Sequence, residues 1–509
     1  MLLVVCSWLG LLAQAAEPIW VADFEAVAHK VPPGALVQVP GRGRAVHVSV
    51  TPDTPGPSRT IALPLPLEKL KGKRLFLGAD VKTVNISPKP NPWNGVKVML
   101  IIETPSGRSY PQPDIPDGSI EWRRFSTSVV VPPTATNLLL VLGLEKVTGE
   151  AWFDNVRITP RSGLASTLKP DPTRPVFRGH DQPRLRGAMA GTDLHEEDVK
   201  HFAEAWKGNL LRLQIFESAR QDRALAAYDA WLAGRLQHID QVLAWCEKYG
   251  VMAVLDLHSP PGGQAFAAGY ITARGRIFTE PQAQAKFVEV WQKMASRYKG
   301  RRVIWGFDLV NEPDDSMVGE DCLDWNNLAD KTARAIRAID PERTLIIEPN
   351  QWGGAQGFAA FEPLDLAGIV YSFHFYQPML FTHQGIHGNP AGVTYPGLIG
   401  QERWDRDALE RAMQPAIEFA RKYRVHMYVG EFSAIRTAPG DSAAKYLADV
   451  IGIFERHGFD WSYHAYREWQ GWSLEHEGPL DRPVRASMPG ARQKVVTGWF
   501  GRNAGRVGY

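Results

Sequence analysis

The rhythm of apolar and polar positions changes once along the chain. From about residue 18 to 158, apolar residues come in short alternating runs broken by Pro and Gly. Leu75–Val81, Gly95–Ile102 and Asn137–Leu144 are examples. Successive side chains of a strand point to opposite faces, so these runs, with no competing helical period, predict an all-β sandwich over residues 17–160. Residues 161–183 carry Pro170, Pro172, Pro175 and Pro183 among Arg, Ser and Thr. Nothing there is periodic, and a linker is expected. From residue 184 the pattern becomes strand, loop, helix, repeated. Strands are predicted at Leu185–Ala190, Leu210–Ile215, Val251–His258, Val303–Asn311, Thr344–Pro349, Ile369–Tyr376, His426–Glu431 and Phe459–Tyr466. Amphipathic helical stretches such as Ala285–Tyr298, Asn327–Ile339, Asp407–Tyr423 and Ser442–His457 lie between them. Eight strands alternating with helices predict a (β/α)8 TIM barrel over residues 184–505, a fold that places its active sites at the C-terminal strand ends. A doubly wound sheet gives the same alternation, but its Gly-rich phosphate-binding turn is not found.

Composition narrows the partners. At 509 residues, 44% hydrophobic and 22% charged, the chain is an ordinary globular protein of at least two domains. A net charge of +2 leaves no footprint for nucleic acid. Residues 1–16 pair an apolar run with Ala13-Gln14-Ala15-Ala16, the form of a secretory signal cut after Ala15 or Ala16, although no basic region precedes it. Export to the periplasm or medium is the expectation, with no membrane span. Cys6 would leave with the signal, and Cys246 and Cys322 are too few for a disulfide framework or a zinc site. The 17 Trp are many for this length; core packing is the usual reason for a Trp, and a surplus also suits stacking on sugar rings. In the sandwich, Trp93 and Tyr110 are candidate stacking platforms.

Candidate chemistry gathers where the barrel strands end. Glu312, in Asn311-Glu312-Pro313, and Glu431, in Gly430-Glu431-Phe432, each close an apolar β-rich run. Acids placed so are rigid, partly desolvated and reachable, which suits glycosidic-bond hydrolysis by a pair of carboxyl groups. Arg212, Asp256 with His258, and His374 with Tyr376 occupy other strand ends. Glu348, Asp308 and Glu468 are nearby acids read as decoys and not as catalytic groups, with Glu348, ending strand five, behind the site or at its rim and Trp352 a candidate subsite wall. No His-x-His pair ends a strand, so neither metal nor cofactor is expected.

These residues carry a resemblance. Residues 184–485 resemble glycoside hydrolase family 5, the cellulase-like branch of the (β/α)8 retaining glycosidases, most sharply at Asn311-Glu312-Pro313 and Gly430-Glu431-Phe432. The stretch Trp122-Arg123-Arg124-Phe125 through Gly149–Ile158 resembles the last strands of jelly-roll carbohydrate-binding modules. The family resemblance implies Arg212 on strand two, His258 on three, Asn311 and Glu312 on four, His374 and Tyr376 on six, Glu431 on seven and Trp469 on eight. Glu312 would then be general acid and base and Glu431 the nucleophile, with Arg212 and Tyr376 keeping Glu431 charged. His374 would act near Glu312, Asn311 would bond the sugar 2-hydroxyl, His258 would contact other hydroxyls, and Trp469 would floor the sugar. A secreted, monomeric β-glucan hydrolase of endo-β-1,4 type is implied. An exo-β-1,3-glucanase or β-glucosidase, a β-mannanase and a non-catalytic polysaccharide-binding protein stand as alternatives.

Overall fold

The computed structural model describes residues 17–503, except 26–30, 33, 55, 57, 92, 106, 162, 163, 165, 218–224, 264, 268, 269, 273, 274 and 317. The signal expected over residues 1–16 lies outside the described residues. The chain divides into two compact units, Met1–Gly163 with Ser316–Glu320, and Leu164–Asp315 with Asp321–Tyr509.

The first unit is a β-sandwich. One antiparallel sheet orders Leu36–Val39, Gly43–Val50, Gly149–Pro160, Arg74–Ile86 and Gly118–Val130, with Trp20–Ala22 also on Gly149–Pro160. The other orders Ser58–Pro64, Asn137–Glu145, Gly95–Thr104 and Gly107–Ser109. Alternate side chains from both sheets, among them Val46, Leu77, Val98, Leu140 and Phe153, fill one core. Lys97 is the exception, a lysine only 2% exposed. Its ammonium donates to Gln112 Oε1 at 3.0 Å and to the Trp93 carbonyl, and pairs with Glu145 at 2.8 Å. That knot holds down the backbone beneath Trp93, whose indole stays 63% exposed. Tyr110 is also exposed.

The second unit is a closed barrel of eight parallel strands: Arg186–Gly191, Leu210–Gln214, Met252–Asp256, Ile304–Asp308, Thr344–Ile347, Ile369–Phe375, Met427–Phe432 and Asp460–His464. Helices Pro281–Tyr298, Trp325–Arg337, Arg406–Tyr423 and Ser442–His457 lie among the connections. Asp324 and Asp405 start two of them by accepting the Asn327 and Ala408 backbone N–H at 2.8 and 3.1 Å. Among the described residues no helix is long and apolar enough to cross a membrane. The lower barrel is filled by Leu210, Val254, Trp305, Ile346, Val370 and Tyr428. Arg212 and Asp256 follow two residues after Leu210 and Val254, Asp308 follows Gly306 past a register shift in strand four, and Glu348 stands directly after strand five.

Strand seven departs from strict alternation. Phe373 pairs with Val429 and His374 with Glu431, so Gly430 is an extra, bulged residue. With Tyr428 inward, alternation alone would turn Glu431 outward; the bulge turns it in. A Cβ on Gly430 would stand 2.9 Å from Ser372 Oγ and 3.0 Å from His374 Nε2, so a side chain there would push on both.

The stretch expected as a linker has no helix or strand among its described residues, but its second half is bonded to the barrel floor. The Trp305 indole donates to Arg178 O at 2.9 Å, and Arg424 Nε donates to Arg174 O at 2.7 Å. His180 and His426 both bond the buried Asp460 carboxylate, at 2.7 and 2.6 Å. Burial opposes the Asp460 charge, but His426 and His180 outweigh it and hold the carboxyl well below its usual range. Cys246 and Cys322 are buried thiols not joined in a disulfide, each pushed up to about 12 by burial.

Candidate active site

At the centre of the barrel mouth lies Arg212, fully buried. Its Nε donates to Asp308 at 3.0 Å, its Nη1 to Glu431 Oε1 at 2.7 Å, and its Nη2 to Glu348 at 3.1 Å and Asn311 Oδ1 at 3.2 Å. Asp256 Oδ1 lies 3.3 Å away. Burial opposes the cation, yet Asp256, Asp308, Glu431 and Glu348 together hold it well above its ordinary value. Burial also pushes Asp308 well up, reinforced by Glu348 and Asp256 and opposed by Arg212. A planar guanidinium with five donors is the side chain that can serve so many acceptors at once.

Glu312 does not end the fourth strand. The strand stops at Asp308, and Glu312 sits four residues on with φ of 48°, the left-handed region. A non-glycine residue there is strained and needs support. Glu348 supplies it, accepting the Glu312 backbone N–H at Oε2, 2.9 Å, while its Oε1 faces Arg212 and, at 3.2 Å, His374 Nε2. Glu348 is therefore buried behind the site, and the rim position considered for it is not where it lies. Gly353 makes room, since a Cβ there would stand 2.2 Å from Glu348 Oε2. His374 Nδ1 donates to Glu312 Oε1 at 2.9 Å. Although burial disfavours its charge, Glu348, Glu431 and Glu312 hold His374 well above the usual imidazole value.

The two glutamates are driven apart. Burial raises Glu312, and the charges of Glu431 and Glu348 add to it against His374. Burial would raise Glu431 too, but His374, His464 and Arg212 hold it well below the carboxylate range. Tyr376 O–H donates to Glu431 Oε2 at 2.9 Å. A carboxylate oxygen of each glutamate and a nitrogen of His374 all lie within 4.8 Å of one another. Three such atoms match a metal's needs in number, but the acids around His374 hold its imidazole protonated, which leaves no lone pair for a metal.

Residues 173–474 match the sequence profile described as Cellulase (glycosyl hydrolase family 5). The chain belongs to glycosyl hydrolase family 5. It is accordingly a glycoside hydrolase acting on O-glycosyl bonds. Over 302 residues it is 30% identical to Endoglucanase C of Acetivibrio thermocellus, covering 53% of this chain and 84% of that protein. It is 26% identical over 279 residues to Cellodextrinase A of Ruminococcus flavefaciens, covering 54% and 79%. A crystal structure of Thermotoga maritima Cel5A in complex with cellobiose aligns with 62% of this chain and 96% of its own, at 20% identity and a TM-score of 0.48.

In this family 5 barrel, Arg212, Asn311, Glu312, His374, Tyr376 and Glu431 converge as the sequence suggested. Two expected residues sit otherwise. His258 has both ring nitrogens engaged, Nδ1 donating to Asp256 Oδ2 at 2.8 Å and Nε2 accepting from Gln214 Nε2 at 3.0 Å, so its neighbours already satisfy it. Trp469 does not end strand eight: the strand stops at His464, and Trp469 follows five residues later, edge-on to Trp472. Trp472 is the indole that packs against Tyr376, His383 and His464, with ring centroids 6.0, 5.1 and 5.8 Å away. At the strand end itself, His464 Nδ1 lies 2.5 Å from Tyr376 Oη and 3.2 Å from Glu431 Oε2. The signal that finds His464 is the polar alternation Asp460, Ser462, His464 along strand eight.

Proposed function

We propose that this chain is an exported, retaining β-glucanase of the endo-β-1,4 type, with Glu312 as acid and base and Glu431 as nucleophile. The observation that carries the reading is the opposed ionisation of two acids whose oxygens lie within 4.8 Å. Retaining glycosidases keep their carboxyl groups about 5–5.5 Å apart, whereas inverting ones leave room for a water. Glu431 attacks the anomeric carbon as the glycosidic C–O bond breaks, and Glu312 gives its proton to the departing oxygen. Once Glu431 is an ester its charge is gone, one cause of the raised Glu312 value disappears, and Glu312 becomes the base that takes a proton from the attacking water. That water displaces Glu431, restoring both acids. His374 shields the Glu312 carboxylate between the two steps. The names of Endoglucanase C and Cellodextrinase A support a β-glucan as substrate. In the same proposal the sandwich holds the polymer through Trp93 and Tyr110, and residues 1–16 direct export.

A product profile on a polysaccharide panel, with the anomer read by NMR, tests this. Glucan should be cleaved with retention. Glu431→Ala should lose nearly all activity and be rescued by azide as the inverted glycosyl azide. Glu312→Ala should keep activity toward dinitrophenyl glycosides and yield the retained azide. Unchanged turnover in Glu431→Ala would overturn the assignment.

A further inference from the structure

We propose that His464, held as an imidazolium by Glu468, is a counter-ion of Glu431 beside His374 and Arg212 and lowers the acid limb of the pH–activity profile. This rests on Glu431 being the nucleophile. Hydrogen-bond bookkeeping carries it. Tyr376 has one O–H, and it is spent on Glu431 Oε2 at 2.9 Å. The 2.5 Å contact between Tyr376 Oη and His464 Nδ1 therefore needs a proton on Nδ1. On the other side of the ring, Nε2 lies 3.1 Å from Glu468 Oε2. A carboxylate oxygen accepts, so Nε2 carries a proton as well; burial opposes the Glu468 charge, but the hydrogen bond and the charge of His464 together keep its carboxyl low. An imidazole with hydrogen on both nitrogens is a cation.

The remaining cations of the site are shared. Arg212 divides its charge among Asp256, Asp308, Glu348 and Glu431. His374 lies between Glu312 at 2.9 Å and Glu348 at 3.2 Å, with Glu431 at 3.8 Å. His464 has Glu431 at 3.2 Å and Glu468 at 3.1 Å as its acidic neighbours among the described residues. From strand six and the helix after it, Tyr376 and the buried His383 face the same ring space, and burial keeps His383 neutral, at about 3. His258 lies on the strand-three side, its ring nitrogens bonded to Gln214 and Asp256. Burial opposes the His464 charge, but Glu431 and Glu468 raise it to about 9, so the cation persists across the working range. When Glu431 becomes an ester, His464 loses one partner and keeps the other. Glu468 thus holds the ring in place through the step at which its first partner disappears.

The test is the pH dependence of kcat/KM on a soluble glucan for the full chain, wild type against His464→Gln and Glu468→Gln. Glutamine at 464 keeps a donor for Tyr376 and removes the charge. It should move the acid limb up by about one pH unit, an opposite charge at this range being worth one to three units, with activity one unit below the wild-type limb falling about tenfold. Glu468→Gln should lower the His464 value, read from histidine-labelled NMR spectra with His464→Gln assigning the signal. An acid limb within about 0.3 unit of wild type in a folded His464→Gln protein, or a neutral His464 at pH 6 in the wild type, would overturn the proposal. Activity surviving in Glu431→Ala would instead overturn the reading beneath it, so the two failures are distinct.

Discussion

Replacing Glu348 by Gln tests the claim that this buried acid aims the proton of Glu312. The two oxygens of Glu348 accept from opposite sides, Oε2 from the Glu312 backbone N–H and Oε1 from Arg212, with His374 Nε2 beside it. Glutamine has one carbonyl oxygen and one NH2. Whichever way it turns, a donor meets a donor, either at the left-handed Glu312 backbone or at the two cations. An unsatisfied buried group costs about 1–3 kcal/mol, more where charge is involved. If about 2–3 kcal/mol of that reaches the transition state through a displaced Glu312, kcat falls by roughly 30- to 150-fold. The substitution leaves the general acid chemically intact and misplaces it, so the loss should depend on the leaving group. Cellobiosides with poor leaving groups, such as methyl or unactivated phenyl, should lose the full factor in kcat, with KM within about threefold. Dinitrophenyl cellobioside, which departs without a proton, should lose little in the glycosylation step. Equal losses on both substrates in a folded variant would refute the reasoning, because Glu348 would then act on Glu431 or on folding and not on Glu312.

Gly430→Ala should cost about ten- to a hundredfold in kcat without unfolding the barrel, since the added methyl displaces His374; near-wild-type kinetics would show that strand six yields freely. Asp460→Ala leaves His180 and His426 without their acceptor on the barrel floor and should destabilise the protein by about 3 kcal/mol or more in urea titration. Because the folded carboxyl of Asp460 is held down, its contribution is present above the unfolded value near 3.9 and is lost as pH falls. The variant should therefore lose less stability than wild type on acidification through that region. Trp93→Ala should weaken adsorption of the full chain to insoluble cellulose by about tenfold, or 1.4 kcal/mol, while kcat on a soluble glucan stays unchanged; equal adsorption would leave the sandwich a spacer.

The barrel was legible because each strand is an apolar run with a polar end, a pattern helices do not imitate, and the observed strands fall within a few residues of those predicted. That Arg212, Asn311, His374, Tyr376 and the two glutamates converge was legible through spacing and family pattern together. What escaped depended on backbone detail. Alternation counted from Tyr428 points Glu431 away from the mouth, and only the bulge at Gly430 reverses it. Glu312 was read as a strand end, whereas its chain has already left the sheet for a left-handed turn that Glu348 stabilises. At strand eight, tryptophan is the family's residue, and three nearby tryptophans drew attention from His464. His258 illustrates the converse: its residue type fits a sugar contact, but Gln214 and Asp256 occupy its ring, and no one-dimensional signal reveals that.

The four acids around Arg212 also bear on how this site can change over evolutionary time. Losing Glu312, the proposed acid and base, removes one partly exposed acid and leaves the buried charge arrangement standing, so on that proposal a descendant should become inactive in a single step and remain folded. Losing Arg212 leaves Asp256, Asp308, Glu348 and Glu431 buried together without the cation they share. Substitutions here are strongly epistatic: Arg212 becomes dispensable only after several acids have already been neutralised. Barrels of this kind that drift from hydrolysis toward mere binding should discard the proton donor first and the guanidinium last.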